Sequence, residues 1–174
     1  ASYKRMHGQD PAPCLAQATK DLQRALQLNQ KDPRSWETLG FVWYEYGKLS
    51  KSSQEDSLDA KRKAISCFDK AISLNPRNDS TWRKRAEIKA TMALLLPMDD
   101  ERLRLLKEAL KDISRAIEIN GASAENREQR GRIFMNVGRL QKALDDFRKA
   151  AELDPARKSK LAPLIEKCIN ALKN

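Results

Sequence analysis

The chain has 174 residues, of which 40% are hydrophobic and 33% are charged, and its formal net charge at pH 7 is +10. This length suits one domain, and ordinary apolar content with only 6 glycines favours a helix-rich globular protein over a disordered one. The longest apolar run, "MALLL" at residues 92–96, is far shorter than the roughly 18 residues of a membrane span, so we expect no membrane segment.

The positive charge gives only a weak indication of nucleic-acid binding. Residues 1–33 carry +2, residues 76–98 carry +3 and residues 156–174 carry +4. The excess therefore lies at the two ends and on one middle segment, whereas a nucleic-acid groove needs a continuous basic surface.

The first predicted elements are a flexible tail over residues 1–11 and a helix over residues 12–29. The tail contains Gly8 and Pro11, which oppose helix, and it has no apolar core of the kind found in a secretion signal. We therefore expect no secretion signal at this end.

From residue 18 onward, the chain repeats one spacing of small and large residues. The four copies are Ala18, Leu22, Ala25 and Gln30; Ala64, Phe68, Ala71 and Pro76; Ala109, Ile113, Ala116 and Gly121; and Ala143, Phe147, Ala150 and Pro155. The apolar residues follow helical spacing, and a helix ends before each proline because the residue before a proline disfavours helical geometry. We predict helix pairs over about residues 33–76, 79–121 and 124–155, followed by a helix over residues 158–172.

This pattern resembles the tetratricopeptide repeat, a unit of about 34 residues that reads W-x2-L-G-x2-Y and then A-x3-F-x2-A-x4-P. Trp36, Leu39 and Gly40 match the first half of one unit, whereas Arg85 and Arg127 replace the Leu and the Trp in later units. The resemblance is weakest in the first copy and good elsewhere.

The resemblance implies an all-α fold, a right-handed superhelical array of antiparallel helix hairpins that forms one domain over residues 12–172. The array would hold about three repeats, a leading half repeat made by the helix over residues 12–29, and a C-terminal capping helix over residues 158–172. The unpaired first helix leaves two interpretations open: the array begins with a half unit, or the chain was cut from a longer protein.

Two adjacent repeats carry insertions of 12 and 11 residues between their two helices. The inserted sequence is helical, and Ser52 and Glu55 have the spacing of a capping box. We expect both helices of these repeats to be extended by about one to two turns, which would stack into a raised wall. The wall provides a possible second binding surface at Met92, Leu95, Leu96 and Leu103. The alternative is that these residues only pack the extended hairpins together.

The sequence offers little for catalysis. The only histidine, His7, lies in the predicted tail, and the 6 glycines are scattered singly, so neither a histidine-based catalytic site nor a phosphate-binding loop can be assembled. We expect no enzyme activity, no cofactor and no metal site. Cys14, Cys67 and Cys168 lack a CxxC spacing, which suggests free thiols in a reducing, cytoplasmic location.

The resemblance also implies a concave groove lined by the first helix of each repeat. Ten residues at matching positions are candidate partner contacts: Arg34, Glu37, Phe41, Tyr44, Glu45, Arg83, Glu87, Glu128, Arg132 and Met135. With Glu125, the lining has three arginines and five glutamates, which predicts a mixed, slightly acidic groove suited to a peptide or helix with some positive charge. The Lys and Asn residues with which some family members clamp the acidic tails of chaperones are not reproduced.

Two aromatic residues are the best candidate anchors in this groove. Phe41 and Tyr44 would be partly exposed there without a packing reason, as interface anchors often are. The alternative is that both residues pack against the half repeat before them.

Three functions follow from these observations. The favoured one is a scaffold or adaptor that binds a peptide or helix of a partner protein in the groove. The second is RNA or other nucleic-acid binding through a basic surface, which Arg83, Lys84 and Arg85 beside Trp82 suggest. The third is a structural role, in which the array associates with itself or with a longer chain through its unpaired N-terminal helix.

Overall fold

The computed structural model describes residues 11–49 and 53–173, and within them the chain forms eight α-helices and no β-strand. In chain order they are α1 (Ala12–Leu28), α2 (Pro33–Tyr46), α3 (Gln54–Leu74), α4 (Asp79–Ala93), α5 (Asp100–Ile119), α6 (Ala124–Asn136), α7 (Leu140–Leu153) and α8 (Lys158–Lys173). A short 3-10 turn, Pro155–Arg157, precedes α8. In this described part, none of the helices combines the length and apolarity that crossing a bilayer requires.

The helices pack in antiparallel pairs that follow one another along the chain. α2 packs against α3, α4 against α5 and α6 against α7, while α1 packs on α2 and α8 packs on α7. Neighbouring pairs contact each other through α3 with α4 and α5 with α6. The all-α array of helix hairpins is confirmed, whereas the predicted tail over residues 1–11 lies outside the described residues apart from Pro11.

Polar side chains mark where the helices begin. The first helix of each pair is capped by a side chain that accepts backbone N–H groups of the first turn, at Asp32, Asn78 and Ser123. The long helix α3 begins with a capping box between Ser53 and Asp56. The box predicted from Ser52 and Glu55 is therefore displaced by one residue, and Ser52 itself lies outside the described residues.

The insertions lengthen the second helix of two pairs. α3 and α5 have 21 and 20 residues, against 14 in α7. α2 and α4 have 14 and 15 residues, close to the 13 of α6, so the prediction that both helices are extended is wrong for the first helices. The reason is local: Gly47 ends α2 and Pro97 follows α4 closely, while Ser53 and Asp99 cap α3 and α5 several residues later.

Small residues on the first helices let each pair approach closely. These residues are matched by large residues on the second helix, as Gly40 with Phe68, Ala86 with Ile113 and Gly131 with Phe147. Both phenylalanines and Ile113 are fully buried. In the middle pair, alanine replaces the glycine of the other two pairs and isoleucine replaces their phenylalanine. The extra methyl group and the smaller facing side chain compensate each other, so the space between the helices is filled in all three pairs.

Candidate functional site

The first helices of the three pairs line a groove that contains two cavities. The first cavity, of about 430 Å³, lies between α2 and α4 and includes Arg34, Glu37, Phe41 and Arg83. The second cavity, of about 550 Å³, lies between α4, α6 and α8 and includes Arg83, Glu87, Glu128, Arg132 and Met135. Of the ten predicted groove residues, eight line these cavities, and only Tyr44 and Glu45 do not.

Phe41 is an exposed aromatic residue of the groove. Its side chain is 43% exposed and lines the first cavity. The ammonium group of Lys84 lies 5.8 Å from the centre of its ring. An aromatic ring that stays in contact with water beside a cavity has a large apolar area available to a partner.

Tyr44 has a different position from the one expected. It is 6% exposed and packs in the core with Ala64, Phe68 and Ile88, so its description as a partly exposed anchor is wrong. Its hydroxyl donates a hydrogen bond of 3.3 Å to Glu87. Burial and the neighbouring Glu87 carboxylate raise the pKa of the Tyr44 hydroxyl above its ordinary value of 10.0. Tyr44 follows Phe41 by three residues, which leaves the two side chains about 60° apart around the helix, and Tyr44 is the one that faces α3 and α4.

The glutamates of the first two repeats are engaged by neighbouring side chains. Glu37 accepts hydrogen bonds from three side chains at the start of α4, which are Asn78, Ser80 and Thr81. Glu87 pairs with Lys84 at 3.2 Å, and Glu45 pairs with Lys48 at 2.9 Å. Glu37 therefore links α2 to α4, whereas the ion pairs of Glu87 and Glu45 are local pairs three residues apart.

Glu128 is the most heavily paired carboxylate of the groove. It contacts Arg132, Arg157 and Lys160 at 2.9, 2.8 and 2.9 Å, and Arg157 also pairs with Glu125. Burial by itself would raise the pKa of Glu128, but hydrogen bonds from Lys160, Arg132 and Arg157 outweigh it and hold the pKa below its ordinary value. Glu128 thus links α6 to the start of α8.

This cluster predicts a dependence of stability on pH. Because the pKa of Glu128 is lowered on folding, its ionised form stabilises the folded chain above the ordinary pKa of 4.5, and that stabilisation is lost as the pH falls through the folded value. We expect Glu128→Gln to lower the free energy of unfolding by about 1 kcal/mol at pH 7 and to weaken its decline in acid. Urea unfolding at a series of pH values measures both effects.

The control for this prediction is Glu118→Gln, which removes an exposed ion pair with Arg115 on a single helix. We expect it to change the free energy of unfolding by less than about 0.5 kcal/mol at neutral pH. If the free energy of unfolding fell with pH in the same way for the original chain and for Glu128→Gln, the role assigned to Glu128 would be contradicted.

Two arginines of the groove are weakly engaged, since Arg83 has no hydrogen-bond or ion-pair partner within the described residues and Arg34 has only the electrostatic attraction of Asp32. Within the described residues, neither Arg34 nor Arg83 forms a side-chain hydrogen bond or an ion pair. The expectation of a slightly acidic groove came from counting the arginines and glutamates predicted to line it. That count does not include the other charged side chains that the fold brings to the groove. The linings of the two cavities also include Lys84, Arg157 and Lys160, which the count omitted, so six cations face four glutamates there and the net charge of the groove is positive.

A buried ion pair that the sequence analysis missed joins α4 to α5. Arg85 donates hydrogen bonds of 2.8 and 2.6 Å to the two carboxylate oxygens of Asp112, and its guanidinium lies 4.8 Å from the ring centre of Trp82. The third repeat has the same arrangement, since Arg130 donates to Asp146 at 2.7 and 2.8 Å. Both repeats show the signal in their sequence, because an arginine stands at the repeat's Leu position and an aspartate stands three residues after the alanine that recurs in each repeat.

The same contacts break up the basic run at residues 83–85. Arg85 points inward and pairs with the buried Asp112, and Lys84 pairs with Glu87. Only Arg83 of the three remains available in the groove, so this run does not form a continuous cationic patch.

The possible second surface divides into buried and exposed parts. Met92 is 4% exposed and belongs to the core between α4 and α5, so its place on an exposed wall is wrong. Leu103 is 45% exposed, and Leu95 and Leu96 are partly buried. The sequence analysis missed Leu94, which is 48% exposed and lines the second cavity of the groove.

The three cysteines form no disulfide. Burial raises the pKa of the Cys67 thiol to about 11, so the thiol is protonated and unreactive at neutral pH. Within the described residues, no group of three or more His, Cys, Asp or Glu side chains is arranged to hold a metal ion.

Comparison with known proteins identifies the repeat. Two family models described as tetratricopeptide repeat match residues 42–78 and 124–157. A solved thermophilic TPR protein of Thermus thermophilus is 16% identical, with a TM-score of 0.72, and the match covers 95% of this chain and 84% of that one. The first TPR of Spaghetti (RPAP3), bound to an HSP90 peptide, is 20% identical with a TM-score of 0.56, and the match covers 79% and 96% of the two chains.

A further solved structure, the TPR domain of Arabidopsis OM64, is 22% identical with a TM-score of 0.53. That match covers 78% of this chain and 98% of the OM64 domain. At these identities, the likeness to solved structures is one of fold.

Proposed function

The chain belongs to the tetratricopeptide repeat family, and we propose that it is a protein-interaction module that holds a peptide or helix of a partner protein in its groove. The role would be that of a scaffold or adaptor. The Spaghetti domain, which is bound to an HSP90 peptide, has this fold and supports a peptide as the occupant. A chaperone-tail clamp is not part of the proposal, since Glu37 and Phe41 stand where the clamp uses Lys and Asn.

The observation that carries the proposal is the exposure of Phe41. Its ring is 43% exposed in the first cavity, although Tyr44 one turn later is buried. Arg34 and Arg83 line the same cavity, and neither forms a side-chain hydrogen bond or an ion pair within the described residues. An aromatic anchor beside unpaired charges is typical of the centre of a binding site.

We expect Phe41→Ala to weaken partner binding by about tenfold or more, because aromatic anchors are the commonest hot spots. The measurement is a pull-down with the intact chain and the variant, followed by titration of the captured partner. Tyr46→Ala is the matched control, because Tyr46 lies on the same helix and is 36% exposed but lines a different cavity, between α1, α2 and α3. Equal affinity of the partner for the original chain and Phe41→Ala would remove the groove from the proposal.

The other two functions are alternative outcomes of this experiment. If Phe41→Ala captured the same material as the intact chain, and this material contained nucleic acid and was released steeply as salt was raised, the basic surface would be the functional one instead. A shift to larger species at high protein concentration, in sedimentation, would support self-association through α1.

A further inference from the structure

Two further cavities lie between α1, α2 and α3. The third cavity, of about 690 Å³, includes Trp43 and Tyr46, and the fourth, of about 640 Å³, includes Trp36 and Leu74. Gln23 lines both, so the two cavities adjoin. Together they form a second concave surface of the chain, which we call the outer groove.

The outer groove and the groove of the first two cavities lie on opposite sides of α2. Trp36 and Trp43 follow Arg34 and Phe41 by two residues each, which turns their side chains by about 200° around the helix. The residues that line the outer groove do not overlap with those that line the first two cavities. A ligand in the outer groove therefore occupies a separate surface.

The outer groove is open because the first repeat lacks an ion network that the second repeat has at the same place. In the second repeat, Arg85 joins Asp69 to Asp112 and lies 4.8 Å from the ring centre of Trp82. The first repeat has three uncharged residues at the positions of these ionic groups: Gln23, Leu39 and Cys67. Within the described residues, no cation covers the ring of Trp36 as Arg85 covers that of Trp82. An apolar surface is thus left open to a ligand.

The charge of the outer groove favours an acidic ligand. Its lining has four lysines and two aspartates. Both aspartates are engaged, since Asp56 belongs to the capping box of α3 and Asp59 pairs with Lys63. Lys31 and Lys70, at the edge of the fourth cavity, are exposed, and neither forms an ion pair within residues 11–49 and 53–173. Carboxylates of a ligand can therefore pair with these two lysines.

The floor of the outer groove has the spacing of a helix. Four residues of α2 line it at helical intervals: Trp36, Leu39, Trp43 and Tyr46. From the first to the last of them, the floor extends about 15 Å along α2, which is the length of about ten helical residues. A second helix that runs along α2 can place apolar side chains at the same intervals, as an amphipathic helix does in an apolar groove.

We propose that the outer groove binds an acidic amphipathic helix of a partner protein, with apolar side chains against Trp36 and Trp43 and carboxylates paired with Lys31 and Lys70. This surface is separate from the groove of the proposed function, so both can be occupied at once. A nucleic acid fits the outer groove less well, because a phosphate backbone needs a row of cations.

The test selects peptides of about 15 residues, long enough to form a helix, from a random library displayed on phage. The full chain is the bait, and peptides that also bind Lys70→Glu/Leu74→Ser are subtracted. We expect the remaining peptides to carry apolar residues three or four apart, with Asp or Glu beside them. In a fluorescence anisotropy titration, a synthetic consensus peptide should bind Lys70→Glu/Leu74→Ser at least about tenfold more weakly than the original chain. Replacing its acidic residues by Lys should restore binding to Lys70→Glu.

The matched control is Lys149→Glu/Leu153→Ser, which makes the same changes at the same positions of the third repeat. Leu153 is 36% exposed, close to the 39% of Leu74, and neither control residue lines any of the four cavities. Both this control and Phe41→Ala should bind the consensus peptide as the original chain does. Circular dichroism confirms that each variant keeps its helices.

Several results would overturn the inference. One is that no peptide survives the subtraction, or that the surviving peptides lack acidic residues or helical spacing. Another is that the control variant loses the peptide as fully as Lys70→Glu/Leu74→Ser does, which would indicate a general effect of charge. If Phe41→Ala abolished binding, the peptide would lie in the groove of the first two cavities, and the proposed function would stand without an occupant of the outer groove.

Other occupants of the outer groove would also be recognised. If sedimentation showed larger species that disappeared with Lys70→Glu/Leu74→Ser, a second copy of the chain would fill the outer groove in place of a partner. If a random-sequence RNA oligonucleotide bound with the same dependence, and no acidic peptide was selected, the ligand would be a phosphate backbone. Neither result would affect the proposed function, which is tested by Phe41→Ala.

Discussion

Replacing Asp112 by alanine is expected to lower the free energy of unfolding by about 3–5 kcal/mol, the cost of breaking a buried ion pair from one side. Asp112 is 3% exposed, accepts two hydrogen bonds from Arg85 and lies 3.0 Å from the ammonium of Lys89. Without the carboxylate, two cations whose side chains are 14% and 10% exposed are left beside each other. Their other partners, Asp69 and Glu108, are more exposed and compensate weakly.

The first repeat indicates how the pair can be removed at little cost. Leu39 and Cys67 occupy there the positions that Arg85 and Asp112 occupy in the second repeat, and both are buried in an apolar cluster. We expect Arg85→Leu and Asp112→Cys together to cost less than the sum of the two single changes, although Lys89 then keeps only Glu108 as an ionic partner. The reason is that apolar replacement of a buried ion pair is often neutral or stabilising.

Urea unfolding of the original chain, the two single variants and the double variant gives the coupling energy. Asp69→Ala is the control, because it removes a partner of Arg85 whose side chain is 54% exposed, and it should cost less than about 1 kcal/mol. If Asp112→Ala and Asp69→Ala reduced stability equally, the buried pair would not be the stabilising feature.

The fold could be predicted because the small and large residues that pack each helix pair lie close together in the sequence. Ala64 and Phe68 are four residues apart on one helix, so their spacing is readable without knowing the neighbouring helix. The groove residues came from the resemblance to the tetratricopeptide repeat, carried over position by position onto the first helices, and eight of the ten line the two cavities. The length of the insertions could also be determined from the sequence. Which helix of the pair is lengthened by them depends on where N-caps such as Ser53 form.

The free charge of the groove could not be predicted, because its pairing spans distant parts of the chain. Glu37 is held by side chains more than 40 residues away, and Glu128 is held by Arg157 from the segment before α8. Counting charges treats every glutamate as available to a partner. Tyr44 was misplaced for a related reason, since its burial depends on α4, which belongs to the next repeat.

The close approach of α6 and α7 leads to the second prediction of a large effect. A Cβ atom at Gly131 would lie 2.6 Å from Cε1 of Phe147, a distance at which the ring or the helix must move. We expect Gly131→Ala to lower the free energy of unfolding by about 2 kcal/mol, because the strain of overpacking exceeds the helix propensity that alanine adds. Gly121→Ala is the control, since the nearest atom to its added Cβ, the Ile117 carbonyl oxygen, is 3.6 Å away.

The middle repeat shows how the strain at Gly131 can be relieved. Ala86 and Ile113 share a core there and are both fully buried, so a methyl group on the first helix is tolerated when the facing ring is replaced by a smaller side chain. We expect Phe147→Ile to cost less in the Gly131→Ala background than in the original chain, with a coupling energy of about 1–2 kcal/mol measured by urea unfolding. Additive effects would mean that α6 moves away from α7 to accept the methyl group. In that case the groove beside α6 would widen as well, which links the packing of this pair to the shape of the second cavity.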